Sequence, residues 1–334
     1  MINNEYGSVY MKKIMVFDTA VASLNMGDEI IKYSIQKNWP ELYSNNYIIT
    51  MPTHTPTFHM WQHILVRGIR KYNDVDYSFI CGTNLLYTDM IRPYPLWNIY
   101  LHNTMIQRNV ICLGTGIGAN SKKVNAYTRA LYKKVLSKEF THSVRDEKAK
   151  ALLESIGLKA VNTGCPTLWG LTEDFCKKIP KRKTQKAIFT LTEYHSDFES
   201  DKFMIDTILN NYQKVYFWPQ SIKDLEYLQS IYPLERFTII NPNLISYENI
   251  LLNEDIDYIG NRLHGGIFSL QHKHRTIIIG IDYRAMEMHK TFSIPYILRE
   301  NISELDNMIN SEWGTHISGI NYDAISAWKA QFKF

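Results

Sequence analysis

The sequence predicts an α/β protein built as two Rossmann-like domains facing a cleft, and three observations carry that expectation. Short apolar runs alternate with helix-like segments along most of the chain, the pattern of βα units on parallel sheets, because parallel strands need crossover helices. The alternation breaks at Lys178–Lys186, a basic stretch holding Pro180, and then restarts. At 334 residues, the chain also exceeds the size of about 250 to 300 residues at which single cores stop growing.

In the N-terminal part, strands are expected at Ile14–Phe17, Tyr47–Thr50, Tyr77–Cys81, Val110–Leu113, Phe140–Val144 and Lys159–Val161. Helices are expected between them at Asp28–Asn38, Thr57–Lys71, Pro95–Gln107, Val124–Leu136 and Asp146–Ile156. After the break come strands at Ala187–Leu191, Val215–Trp218, Phe237–Ile240, Tyr258–Ile259 and Thr276–Ile281. Residues 1–177 thus read as one domain, 178–186 as an exposed linker, and 187–316 as a second domain. Residues 317–334 hold a final helix, Tyr322–Phe332, expected to return to the first domain, and Met1 to Tyr10 carry no period and read as a loose arm or an upstream start. Two such domains facing a cleft make the architecture of B-type glycosyltransferases, a likeness of fold that does not fix function.

Composition narrows the class. The chain is 45% hydrophobic and 21% charged, ordinary for a packed globular protein. Its 37 basic and 33 acidic residues leave too small an excess to imply a nucleic-acid partner. Apolar runs such as Ile277-Ile278-Ile279 fall far short of the roughly 18 residues that span a bilayer, and no signal-peptide core opens the chain. A cytoplasmic protein is expected, open to peripheral contact with the inner membrane face. Cys81, Cys112, Cys165 and Cys176 are widely spaced and read as reduced, buried thiols.

Ligands of parallel sheets gather where strands end, so the loops after strands hold the candidate chemistry. The most informative is Gly260-Asn261-Arg262-Leu263-His264-Gly265-Gly266, where a strand turns into a helix. Helix N-termini present unpaired N–H groups and partial positive charge. A fixed cation, an imidazole and a glycine pair there suit a phosphate or carboxylate, with Gly265-Gly266 expected to open the backbone to it. Taken alone, Arg262 reads as a surface ion-pair partner and His264 as a core histidine. Their place in the elbow favours anion binding.

Asp18 stands at the tip of the first strand, with Asn25, Gly27 and Asp28 at the start of the next helix, where Asn25 or Asp28 serves equally as a cap. Cys81-Gly82-Thr83-Asn84 and Gly114-Thr115-Gly116-Ile117-Gly118-Ala119-Asn120 add glycine turns on the same edge, whose amides are expected to line the cleft. The glycine spacing lacks the dinucleotide fingerprint, so NAD is rejected. Arg145 follows another strand, and its guanidinium suits a carboxylate or phosphate as well as an ion pair. His54, His59 and His63 show no zinc-peptidase spacing and read as structural, and His272 and His274 as the solvated end of a helix. No metal site is expected. Neither a nucleophile elbow nor a Walker loop is present.

Together, Leu24-Asn25-Met26-Gly27-Asp28, the turn at Gly114 to Gly118, Ser143-Val144-Arg145-Asp146, Asn261-Arg262-Leu263-His264-Gly265 and Ile279-Gly280-Ile281-Asp282-Tyr283 resemble the polysaccharide pyruvyl transferase family, in the correct order over residues 14–290. The resemblance implies transfer of a pyruvyl group from phosphoenolpyruvate, a co-substrate with no further cofactor, to a sugar of a surface polysaccharide or its lipid-linked precursor, usually as a cyclic ketal. It implies a donor bound by Arg145, Arg262, His264, Gly265, Gly266 and Lys290, all but Arg145 on the second domain. The first domain would present the acceptor, with Asn25, Gly27, Asn84 and Gly116 lining it. His264 is the implied proton donor or phosphate stabiliser, and Asp18 or Asp28 the base. The family often carries a lysine just after the strand ending near Tyr283, whereas here Arg284 stands near and Lys290 further on, leaving both open. A B-type glycosyltransferase using a nucleotide sugar is the alternative, and a catalytically inactive sugar-binding subunit the reading from another class.

Overall fold

The computed structural model describes residues 11–91, 95–118 and 123–334. The arm Met1 to Tyr10, and Ala119 and Asn120 of the third glycine loop, lie outside the described residues, as does the side chain of Arg284. The chain packs into two units. Unit 1 holds the described residues of Met1–Ser23, with Ile31–Pro166 and Asn321–Phe334, and unit 2 holds Leu24–Ile30 and Thr167–Ile320.

Unit 1 is built on β1 (Lys13–Asp18), β2 (Tyr47–Pro52), β3 (Tyr77–Cys81), β4 (Asn84–Leu86), β5 (Val110–Leu113), β6 (Gly116–Ile117), β7 (His142–Val144) and β8 (Ala160–Asn162). Its main sheet has the order β2-β1-β3-β5, all parallel, while β4 pairs with β6 and β7 with β8. Ile14, Val16, Phe17, Phe79 and Ile111 are buried, so these strands are covered on both faces and read as continuous apolar runs. The crossovers carry α1 (Met26–Asn38), α2 (Glu41–Ser44), α3 (Met60–Leu65), α4 (Ala126–Val135) and α5 (Glu147–Ser155).

Two helix expectations shrink here. Thr57–Lys71 yields only α3 followed by a 3-10 turn at Arg67–Asn73, because Val66 is extended (φ −107°, ψ 90°) and breaks the run. Pro95–Gln107 yields a 3-10 turn at Leu101–Met105 alone. Upstream of that turn burial alternates, with Pro95, Trp97 and Ile99 inside and Leu96 and Tyr100 outside, a period of two that marks extended chain.

Unit 2 contains α6 (Glu173–Cys176), then β9 (Lys186–Thr190), α7 (Phe198–Asn211), β10 (Lys214–Phe217), α8 (Ile222–Ile231), β11 (Thr238–Ile239) and α9 (Leu244–Asn253). It continues with β12 (Asp257–Gly260), α10 (Leu263–Gln271), β13 (Thr276–Gly280), α11 (Tyr283–Phe292), β14 (Tyr296–Leu298) and α12 (Leu305–Asn310). The sheet order is β11-β10-β9-β12-β13-β14, parallel throughout. This is the doubly wound order, whose switch point falls between β9 and β12.

The stretch Lys178–Lys186 is exposed in part, yet it belongs to unit 2. Arg182 pairs with Glu312 (2.9 Å), and the Trp313 N–H donates to the Lys181 carbonyl (3.2 Å). The boundary between units therefore falls at Pro166/Thr167. After α12 the chain ends in α13 (Tyr322–Lys329) within unit 1, where Trp328 Nε1 donates to the Thr141 carbonyl (2.7 Å) and Trp328 meets Trp39 and Phe332 edge-on.

Candidate active site

The switch point of unit 2 puts the β12–α10 elbow where ligands of such sheets collect. At Gly260 a Cβ would stand 2.3 Å from Thr190 Oγ1, so only glycine lets β12 press against β9 at the turn. The Tyr258 hydroxyl donates to the Arg262 carbonyl (2.8 Å) and fixes the elbow from below.

Arg262 is a buried cation. Its Nη2 donates to both oxygens of Asp224, at 2.5 and 2.6 Å, and its guanidinium lies over the Tyr194 ring at 4.9 Å. Asp224 is fully buried and also accepts the backbone N–H groups of Gln220 (3.1 Å) and Glu193 (3.3 Å). The ion pair that sequence places at the surface is thus internal. A carboxylate tied to two backbone donors and a guanidinium fixes where Arg262 points.

Helix α10 differs from its neighbours at its first turn. Asp197, Ser221 and Asn243 cap α7, α8 and α9 by accepting the N–H groups of Ser200, Asp224 and Ser246. The Arg262 side chain, at the N-cap of α10, makes no such bond. Gly265 and Gly266 act differently from expectation. A Cβ on Gly266 would lie 2.6 Å from Ile278 Cγ1, and its N–H already donates to the Arg262 carbonyl (3.1 Å). A Cβ on Gly265 would lie 3.0 Å from Gln220 Nε2 and 3.1 Å from the Tyr258 hydroxyl. The glycine pair therefore seats α10 tightly on the sheet and leaves room for Gln220.

The turn Leu24–Ile30 packs with unit 2 and brings Asn25, Gly27 and Asp28 to the elbow. Asn25 Oδ1 accepts the Gly27 N–H (3.0 Å), and a Cβ on Gly27 would stand 3.1 Å from His264 Nδ1. Asp28 is buried in the first turn of α1. His264 thus sits against the N-terminal turn of α1 while belonging to that of α10, two sources of partial positive charge.

Several buried polar atoms on this edge have no hydrogen-bond partner among the described residues. They are Thr192 Oγ1, Trp218 Nε1, Gln220 Nε2, Asn261 Oδ1, Arg262 Nε and Arg299 Nε. Buried polar groups are nearly always paired, so their concentration at the ends of β9, β10, β12 and β14 singles out this edge of unit 2 as the candidate ligand surface. A cavity of about 670 Å³ adjoins it at the ends of β9, β13 and β14, lined by Asp197, Asp282, Met286 and Arg299 among others. Asp201, 3.5 Å from Arg299 Nη2, has its carboxyl pushed up by burial.

Unit 1 gathers a second set of the residues singled out in sequence. Arg145 Nη2 donates to Asn84 Oδ1, and Asn84 is the register partner of Gly116 in the β4–β6 pair. A Cβ on Gly116 would stand 2.3 Å from Arg145 Nε and 2.7 Å from Asn84 Oδ1, so the guanidinium lies directly on the glycine. The amides of this glycine loop are used internally: Gly114 N–H donates to Ser143 Oγ (2.9 Å), Gly116 N–H to the Thr83 carbonyl (2.8 Å) and Gly118 N–H to the Leu86 carbonyl (2.7 Å). These glycines permit close packing and do not offer free backbone donors. Among the described residues, no group of three or more His, Cys, Asp or Glu could hold a metal ion.

Residues 25–283 match the family model described as polysaccharide pyruvyl transferase. The chain belongs to the polysaccharide pyruvyl transferase family. No curated protein matches it in sequence. Among solved structures it is similar to a UDP-N-acetylglucosamine 2-epimerase at 12% identity and a TM-score of 0.53, covering 96% of this chain and 95% of that one. The UDP-GlcNAc 2-epimerase of Neisseria meningitidis bound to UDP-GlcNAc gives 12% and 0.50, covering 96% and 100%, and a putative one from Listeria monocytogenes gives 11% and 0.50, covering 97% and 98%. At such identities these structures speak for the fold alone, which is the one shared with B-type glycosyltransferases.

Asp18 ends β1 in unit 1, accepting the Ala20 N–H (2.9 Å) and pairing with Lys32 (2.9 Å). Lys290 is exposed in the last turn of α11, about 10 Å along the helix axis from its start. His272 and His274 are not solvated: the first lies between the Phe268 carbonyl and Glu248, and the second is buried against the carbonyls of Ile256 and Leu251. Asp224, Gln220, Trp218 and Arg299 complete this edge without a motif that singles them out in sequence. Trp218 and Gln220 directly close and follow a predicted strand, Ser221-x-x-Asp224 has capping-box spacing, and Arg299 follows β14, whose three residues carry little pattern.

Proposed function

We propose that this pyruvyl transferase moves the pyruvyl group of phosphoenolpyruvate onto two hydroxyls of a sugar in a surface polysaccharide or its lipid-linked precursor, forming a ketal. The observation that carries the reading is a set of buried N–H donors in unit 2, Trp218 Nε1, Gln220 Nε2 and Arg262 Nε at the first turn of α10 and Arg299 Nε after β14. Phosphoenolpyruvate presents only acceptor oxygens, on a carboxylate and a phosphate, and such donors suit them. Arg145 on Gly116 is assigned to the donor as well.

The reaction starts with a proton placed on the methylene carbon of the donor, leaving an oxocarbenium-like carbon. His264 is assigned this step, with the negative charge of the bound donor offsetting the two helix N-termini that by themselves disfavour its protonated form. A sugar hydroxyl attacks that carbon, phosphate leaves with the broken C–O bond, and a second hydroxyl closes the ketal. Of the two hydroxyl protons released, one restores the proton now in the methyl group and the other leaves with phosphate. Asp28 is assigned the base because its turn packs against His264, whereas Asp18 is held by Lys32.

The test incubates the purified protein with phosphoenolpyruvate and a galactose- or mannosamine-type acceptor, measuring free phosphate and acceptor mass. Acceptor-dependent phosphate release, with a mass gain of pyruvate less one water, is expected. Nucleotide release from a nucleotide sugar without phosphoenolpyruvate would instead assign B-type glycosyl transfer.

A further inference from the structure

Helix α3 in unit 1 is turned inside out. Its buried residue is polar: His63 faces Asn103 (3.4 Å), and Asn103 Nδ2 in turn donates to the Phe58 carbonyl (2.9 Å). Its apolar residues point outward. Trp61 is 66% exposed, Ile64 65% and Leu65 73%, with Met60 and Val66 also exposed. Positions 60, 61, 64 and 65 share one face of a helix. Exposed Met105 adds to the apolar surface from the neighbouring 3-10 turn, whose Asn103 holds the inner side of α3.

The segments that build this face carry cations and no carboxylate, and the nearest acid in sequence, Asp74, pairs with Lys13 (2.7 Å). These segments, residues 51–73 and 95–109, contain no Asp or Glu, while Arg70, Lys71 and Arg108 are exposed there. Arg108 Nη2 donates to the Met105 carbonyl (2.9 Å), which places that cation at the rim of the apolar surface.

We propose that this face of unit 1 docks on an anionic lipid surface, with Trp61, Ile64 and Leu65 entering the interface and Arg70, Lys71 and Arg108 facing lipid phosphates. An aromatic and aliphatic patch with cations on the adjoining turns is the pattern of segments that lie in a bilayer interface, and each cation near a negatively charged leaflet adds attraction. A self-associating face fits less well, because a two-fold contact sets the same patch against itself and gathers like charges. Among the described residues no helix is long and apolar enough to cross a membrane, so the contact is made from the surface. The inference stands on this surface and does not depend on the chemistry assigned to the elbow.

The full chain is sedimented with vesicles of phosphatidylcholine alone and of phosphatidylcholine with 30% phosphatidylglycerol, at about 0.05 and 0.5 M salt. Two variants accompany it, Trp61→Ser/Leu65→Ser and Arg70→Glu/Lys71→Glu, each checked for an unchanged melting curve. The wild type is expected to bind the anionic vesicles, less so in high salt, and both variants to bind about tenfold or more weakly. Absence of wild-type binding to anionic vesicles, or equal binding by the variants, overturns the proposal. So does a lipid-free dimer that Trp61→Ser/Leu65→Ser dissociates while vesicle binding is unchanged, which would make the face a contact between copies.

Discussion

Gly116→Ala is the most informative small change in unit 1. The added methyl would stand 2.3 Å from Arg145 Nε, and carbon and nitrogen atoms in ordinary contact need about 3.5 Å, so the guanidinium must move by about 1 Å. The same methyl would lie 2.7 Å from Asn84 Oδ1, so Arg145 also loses the acceptor that orients it. Arg145 is only half-buried and can swing away, so the stability cost should stay near 1 kcal/mol. A reacting or binding group displaced by 1 Å can cost about a hundredfold in rate, or about 2.7 kcal/mol of transition-state stabilisation. The assay is kcat/KM for phosphoenolpyruvate-dependent phosphate release, beside thermal melting, for Gly116→Ala, Arg145→Ala and the double variant. Gly116→Ala is expected to lose about a hundredfold with little change in melting, and the double variant to be no worse than Arg145→Ala, because both act through one guanidinium. Wild-type kcat/KM in Gly116→Ala would refute the role given to Arg145 and its seat.

Other perturbations separate structure from chemistry. Asp224→Ala leaves Arg262 a buried cation without its carboxylate, a loss of about 3 to 5 kcal/mol, read as a lower denaturation midpoint together with lost turnover. Gly27→Ala adds helix propensity to the first turn of α1, worth up to about 1 kcal/mol. Its methyl stands 3.1 Å from His264 Nδ1, so kcat should fall while melting holds or rises. His142 is buried neutral, with Nε2–H donating to the Ser137 carbonyl (2.9 Å) and Nδ1 accepting the Cys112 N–H (3.1 Å), and burial lowers its pKa from 6.5 to about 4. The unfolded chain therefore binds the extra proton first, so this stabilisation is complete above pH 6.5 and is lost as pH falls toward 4, to a total of about 3 kcal/mol. Urea titrations from pH 7.5 to 4.5 should show that decline, and His142→Gln should flatten it.

Much of this architecture was legible in sequence because parallel strands covered on both faces read as continuous apolar runs. Ile14–Phe17, Val110–Leu113 and Thr276–Gly280 are such strands. The elbow at Arg262 and His264 is legible for a related reason, since a strand, a cation, an imidazole and a glycine pair fall within the ten residues 257–266. What composition could not show was pairing across long separations. Nothing local says that Arg262 is neutralised by Asp224, thirty-eight positions earlier, or that Lys32 holds Asp18. The amides of the Gly114 to Gly118 loop read as free in sequence for the same cause, because their acceptors, Ser143, Thr83 and Leu86, lie on distant strands and turns. Pro95–Ile99 reads as helix in sequence because its alternation covers too few residues to outweigh a helix-like composition.

The central claim is that the donor surface of the β12–α10 elbow takes phosphoenolpyruvate, and calorimetric titration of that compound into the full chain tests it most directly. Gln220→Ala provides the comparison, because it removes one buried N–H donor, Gln220 Nε2, from beside Gly265. The wild type should bind one equivalent, with inorganic phosphate competing, and Gln220→Ala should bind about tenfold more weakly, a loss of about 1.4 kcal/mol. No binding by the wild type, or equal affinity in the two proteins, would contradict the assignment of this surface to the donor.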